Sequence, residues 1–118
     1  MDAATPTNDE ASAGSFGLPG RSLCTLRSIL ASQSAVEQAI VYGSRAKGNF
    51  RPGSDIDLTL VGPDLTLTDL TRIAQALDES DLPYQVDLSL QADIDNPNLL
   101  EHIARVGQVL YERARHPG

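Results

Sequence analysis

Two aspartates, Asp55 and Asp57, flank a single isoleucine in the run DIDLTLV, residues 55–61 of a 118-residue chain. Residues two apart on a strand point to the same face, with Cα atoms roughly 6.6 Å apart at about 3.3 Å per residue. Ile56, Leu58 and Leu60 border the pair, so the strand packs into a core. A carboxylate pair on such a strand is costly unless something positive satisfies it. An isolated D-x-D fits equally well on a solvated strand face that Thr59 continues. Asp87, however, stands in the middle of a second run, YQVDLSL, between Val86 and Leu88, where aspartate is disfavoured. Three acids on two strands of a short chain suggest convergence on one face. Hard oxygen donors in that number suit Mg²⁺, which typically takes one or two carboxylates together with substrate phosphates.

Upstream of the acids lies Gly43-Ser44-Arg45-Ala46-Lys47-Gly48, directly after the apolar run Ala39-Ile40-Val41-Tyr42. Free backbone N–H groups at a helix start, with a hydroxyl beside them, make an anion site. Arg45, Lys47 and Arg51 are three of the nine basic residues, and Lys47 is the only lysine. They concentrate positive potential beside the acids of an otherwise acidic chain. The same residues also fit an ordinary strand-to-turn connection with solvated charges, and the Walker pattern G-x-x-x-x-G-K-[ST] is absent.

The elements that must position these groups follow from periodicity. Ala39–Tyr42 is short and partly β-branched and reads as a buried strand stopped by Gly43; Asp55–Val61 and Tyr84–Leu90 alternate and read as two more. Ser22 is placed to cap a helix carrying Leu23, Leu26, Ile29 and Leu30. Leu70, Ile73, Ala74 and Leu77 share the stripe of a second helix, with Thr66 and Asp69 at capping-box spacing. Asn96 and Pro97 read as N-cap and first position of a third, with Leu99, Leu100, Ile103 and Val106, stopped by Gly107. Val109-Leu110-Tyr111 is a short apolar closure, and residues 113–118 fray. Strands alternating with helices make a small layered α/β domain over residues 21–118. Residues 1–20, rich in Ala, Ser, Thr, Gly and Pro, read as a disordered tail.

Composition narrows the function. The net charge of −7 argues against a sequence-independent nucleic-acid binder and against an anionic membrane surface. No apolar run reaches the roughly 18 residues of a membrane helix. The single cysteine, Cys24, makes no internal disulfide, which fits a reducing compartment. The acidic N-terminus is no secretory signal, so the cytoplasm is expected. Tryptophan is absent, and the core must rest on Leu, Ile, Val and Ala.

Gly43-Ser44, ten intervening residues and then Asp55-x-Asp57 resembles the signature of the polymerase-β-like nucleotidyltransferase superfamily. The stretch VYGSRAKGNFRPGSDIDLTLV, residues 41–61, is similar to that of its minimal members, the MNT proteins, and Asp87 falls where they carry a third carboxylate. The resemblance extends over about residues 22–111 and implies an α+β nucleotidyltransferase fold, a small mixed sheet flanked by helices. It implies that Gly43 and Ser44 hold the terminal phosphates of a nucleoside triphosphate, ATP by family default. Arg45 and Lys47 would contact phosphate. Asp55, Asp57 and Asp87 would bind two Mg²⁺ ions, and Asp87 would also help to deprotonate an acceptor hydroxyl that attacks the α-phosphorus and releases pyrophosphate.

Larger relatives carry further domains for the acceptor, and nothing after residue 118 is expected to build one. Minimal members commonly work beside a separate, small all-helical HEPN protein. In several such pairs the HEPN protein is a toxin ribonuclease and the nucleotidyltransferase is its antitoxin, adenylylating a tyrosine hydroxyl on it. The resemblance therefore implies a hetero-oligomeric toxin–antitoxin system. The alternatives are a non-catalytic module that neutralises its partner by occlusion, and a small-molecule nucleotidyltransferase subunit.

Overall fold

Runs that alternate apolar and polar residues become strands, and the computed structural model, which describes residues 15–51 and 53–113, joins four of them in one sheet. β1 (Gln38–Tyr42) is antiparallel to β2 (Ile56–Val61) on one side and to β4 (Gln108–Glu112) on the other. β3 (Val86–Leu90) runs parallel to β2 at the edge, for the order β3-β2-β1-β4. Helix α1 (Gly20–Ala31) precedes β1, and the connections between strands carry α2 (Ser44–Lys47), α3 (Leu67–Glu79) and α4 (Pro97–Val106). The expected mixed sheet with flanking helices is thus the observed architecture. The segment expected as an apolar closure is the centre of β4: Leu110 is buried in the core and the strand pairs along β1. Without it the second edge of β1 would be left unpaired.

Period-two alternation divides the sheet into two faces. Ala39 and Val41 of β1 lie opposite Leu60 and Leu58 of β2, and with Ile56 they form one buried cluster with Leu23, Leu26 and Leu30 of α1 and Ile73 and Leu77 of α3. α4 approaches from the other side: Ile103 is buried but stands outside that cluster, and His102 meets Tyr42 edge-on. Helix starts are satisfied locally. Thr66 Oγ1 accepts from Asp69 N at 3.2 Å while Asp69 Oδ2 accepts from Thr66 N at 3.1 Å, which is the capping box expected from their spacing. Asn96 Oδ1 accepts from Asn98 N at 2.9 Å, with Pro97 in the first turn. Ser22 is not a cap. α1 begins two residues earlier, after Pro19, and Ser22 is buried inside it. Among the described residues, no helix is long and apolar enough to cross a membrane.

The segment expected as a tail lies outside the described residues as far as residue 14, but residues 15–20 belong to the packed structure. Leu18 is fully buried and Phe16 packs on the core, and their apolar area outweighs the small, polar neighbours that suggested disorder. At the other end, Arg113 does not fray. Its Nε donates to Val36 O at 3.2 Å and its Nη2 to Ala31 O and Gln33 O, at 3.2 and 3.1 Å. Residues 114–118 lie outside the described residues.

Replacing Leu18 by Ala removes a fully buried side chain, so urea denaturation of Leu18→Ala should show a loss of about 2–4 kcal/mol. A loss below about 0.5 kcal/mol, the usual range for surface positions, would return this segment to a tail.

Candidate functional site

The face that α4 approaches carries the acids. Strand register puts Tyr42 of β1, Asp57 of β2 and Asp87 of β3 in one row across three strands. Adjacent strands lie about 4.8 Å apart, so the two carboxylates are direct neighbours. The next row is Ile40, Thr59 and Ser89, where Ser89 Oγ donates to Thr59 Oγ1 at 3.0 Å. Thr59 is buried, Asp57 half-buried, and Asp87 exposed on the edge strand. Asp55 precedes β2 and is exposed.

β1 ends in a turn that passes close to Asp57. Gly43 has φ 75° and ψ −153°, a conformation that L side chains rarely adopt, and a Cβ on it would collide with Asp57 Oδ2. The chain then makes a single helical turn, α2, with Lys47 N donating to Gly43 O at 3.1 Å and Gly48 N to Ser44 O at 2.9 Å. Ser44 is therefore the first helical residue, directly after Gly43. The Gly43 N–H is held from the far end of the chain: it donates to His102 Nε2 of α4 at 3.2 Å.

Burial, foremost, raises the Asp57 carboxyl above the usual carboxylate range; the negative charges of Asp87 and Asp55 add to this, and His102 opposes it. Tyr42 is likewise raised, first by burial and then by Asp57 and Asp87, against a hydrogen bond with Ser89 that lowers it. Of the acids expected to converge, the sheet brings Asp57 and Asp87 side by side, whereas Asp55 influences Asp57 only from the strand's approach. Among the described residues, no three His, Cys, Asp or Glu side chains gather closely enough to cage a metal by themselves.

Arg45 is turned into the fold rather than toward the turn's open side. It is buried; Nε and Nη2 donate to Ser54 O at 3.0 and 2.8 Å, and Nη1 donates to Phe16 O at 2.9 Å. Its guanidinium carbon lies 5.0 Å from the Phe50 ring centre and 4.9 Å from that of Tyr84. Three of its N–H groups and contacts with two aromatic rings are thus engaged within the protein. Lys47 is exposed at the end of α2. Sequence reasoning missed His102 and Tyr42. His102 is one of only two histidines and lies three residues after Leu99 on the inward stripe of α4, the signal by which it could have been found. Tyr42 was visible only as a strand residue, because its acidic neighbours come from other strands.

The family model for the polymerase beta nucleotidyltransferases matches residues 25–116. A Haemophilus influenzae protein named "probable protein adenylyltransferase MntA" is 35% identical over 75 residues, which are 63% of this chain and 65% of that protein. The chain thus spans just under two thirds of that relative's length. Among solved structures, a toxin–antitoxin complex with AMP-PNP superposes with TM-score 0.63 at 22% identity, over 77% of this chain and 73% of the other. A complex of tri-AMPylated Shewanella oneidensis HEPN toxin with MNT antitoxin superposes with TM-score 0.59 at 20% identity, over 79% and 71%. At these identities the structures establish the shared fold.

Two outcomes test this geometry. Arg45→Lys keeps the charge but loses the planar fork and the stacking, so thermal unfolding should show a markedly lower midpoint; an unchanged midpoint would mean that the guanidinium contacts contribute nothing. The second concerns Asp57 in the metal-free protein. Its folded-state pKa is raised, so the charged form opposes folding, and the protein regains stability as pH falls through that pKa. Asp57→Asn should therefore raise the urea midpoint at pH 7, and the gain should shrink toward zero by about pH 4, near the unfolded value. A gain independent of pH would show that the charge is not its source.

Proposed function

The chain belongs to the polymerase beta nucleotidyltransferase family, and from that premise we propose that its acid-bearing sheet face transfers AMP from ATP to a hydroxyl, most simply a tyrosine, of a HEPN-type partner protein. In this reading it is the antitoxin of a cytoplasmic, hetero-oligomeric toxin–antitoxin pair. The observation that carries the proposal is the in-register Asp57–Asp87 pair beside a turn that only glycine can make. The relative named as an adenylyltransferase and the AMPylated HEPN toxin among the structural neighbours support the choice of acceptor.

Mg²⁺ fits this donor set. Asp57 and Asp87 are hard oxygen donors on adjacent strands, and a cation relieves the repulsion that raises Asp57. Asp55, two residues earlier, extends the set. Mg²⁺ needs no all-protein cage, because it keeps waters and takes phosphate oxygens. When bound, it supplies charge neutralisation around the transferring phosphoryl group.

The chain's own residues account for binding, orientation and proton movement. The Ser44 hydroxyl and the amides that open α2 hold the terminal phosphates, with Gly43 allowing close backbone approach. Lys47, exposed at the end of the same turn, adds positive charge to that side. Asp87, exposed at the sheet edge, is open to a macromolecular acceptor and takes the proton from its hydroxyl. The hydroxyl oxygen bonds to the α-phosphorus as the bond to pyrophosphate breaks. A tyrosine hydroxyl has an unperturbed pKa near 10, so a positioned base is worth about 10²- to 10⁴-fold in rate.

The test is intact-mass spectrometry of the helical protein encoded beside this gene, incubated with this chain, ATP and Mg²⁺. The parent should add one or more AMP masses and Asp87→Asn almost none, while calorimetry shows that Asp87→Asn retains most ATP binding. ATP binding should weaken strongly in EDTA. If the parent silences its partner without adding nucleotide mass, the chain acts by occlusion and the transferase reading fails.

A further inference from the structure

The Gly43–Ser44 turn is held on its α2 side by Lys47 N donating to Gly43 O and Gly48 N to Ser44 O, which leaves the Gly43 amide to be held from elsewhere. Gly43 is the residue with the greatest backbone freedom, and α2 beyond it is a single turn. The strand before it ends at Tyr42, and the next strand begins only at Ile56. Yet the first peptide of the turn is tied across 59 residues: Gly43 N donates to His102 Nε2 at 3.2 Å. The same imidazole stands edge-on to Tyr42, with ring centres 6.2 Å apart and planes at 81°. His102 therefore grips both sides of the Tyr42–Gly43 junction, at the point where Tyr42 lies in register with Asp57. Nε2 is the acceptor atom in this contact, so the imidazole holds the amide through that one nitrogen.

The helix that carries His102 is itself well held. Its start is closed by the Asn96 side chain, Ile103 is buried on the next position, and Gly107 N donates to Ile103 O at 2.7 Å. Gly107 also lies against Ile40 Cγ2, close enough that a Cβ there would have to displace it. The Gly43 amide is thus fastened to this helix by one acceptor atom.

We propose that His102 is a positioning residue: its Nε2 holds the Gly43 amide so that the turn is already shaped to receive the triphosphate before nucleotide arrives. The inference rests on the reading of that turn as the nucleotide seat. A turn free to leave the competent shape binds more weakly in proportion to the fraction of time it spends elsewhere. Loss of one such hydrogen bond should weaken ATP·Mg²⁺ binding about fivefold to tenfold. The proton-accepting group stays in place, so the loss should fall on KM and leave kcat nearly unchanged.

The experiment compares His102→Ala, His102→Asn and His102→Gln in the full chain. The glutamine amide reaches as far as Nε2 and can accept from Gly43 N; the asparagine amide is shorter and cannot. Two readouts are taken: the hydrogen-exchange rate of the Gly43 amide by NMR without nucleotide, and ATP·Mg²⁺ affinity by calorimetry. Alanine and asparagine should speed Gly43 exchange at least about tenfold and weaken ATP, and glutamine should restore both. If alanine fails to fold, the asparagine–glutamine pair carries the comparison alone. The proposal is overturned if Gly43 exchange is unchanged in the alanine and asparagine variants, or if all three variants lose equally. If Gly43 exchange follows the expected pattern while the parent binds no ATP, the anchor stands and the nucleotide reading of the site falls instead.

Discussion

A carboxylate held half-buried in a sheet row, with a second carboxylate beside it, constrains everything around it. Asp57 lies between Tyr42 and Asp87, and burial together with its acidic neighbours raises its proton affinity. The chain leaves β1 at Gly43 with positive φ, a conformation that favours glycine, and the Asp57 oxygen lies in the space that a side chain there would take. That departure starts α2, brings Ser44 to the helix start, and turns the Gly43 N–H toward α4. The turn beside Asp57 thus presents its first amide to a helix from much later in the chain.

The sheet separates stability from chemistry by the parity of its residues. On one face, Ala39, Val41, Ile56, Leu58 and Leu60 close against α1 and α3 as an aliphatic core. On the other, Tyr42, Asp57, Thr59, Asp87 and Ser89 form a polar surface under α4. A one-residue slip of β2 against its neighbours would exchange these roles, so the buried face also guarantees the register of the acids.

Three of the nine basic residues hold backbone. Arg27 Nε donates to Leu110 O at 2.9 Å, Arg45 clasps Ser54 and Phe16, and Arg113 binds three carbonyls. These guanidiniums satisfy carbonyls that loops would otherwise leave unpaired.

Much of this was legible in the sequence. Alternation over Ile56–Val61 and Val86–Leu90, the stripe of α3 and the caps at Thr66 and Asn96 depend on neighbours within a few residues, and they appear as expected. The glycine–serine to D-x-D spacing identified the family for a similar reason, because strand, turn and strand follow one another along the chain. Partnership between distant residues was not legible. Arg45 and Lys47 look alike as bases in one turn, yet only tertiary packing sends Arg45 between Phe50 and Tyr84. Leu18 sits among tail-like residues until a core exists to bury it, and Val109–Tyr111 becomes a strand only because β1 offers it an edge. His102 carries no local signal of its hydrogen bond to Gly43, since the separation of 59 positions is closed by the fold alone. The sequence by itself determined which residues could carry charge and which stretches could be strands or helices, because those properties are local. Which charges face the site and which bind the scaffold was decided by the tertiary structure, because desolvation and hydrogen bonding depend on neighbours that only folding supplies.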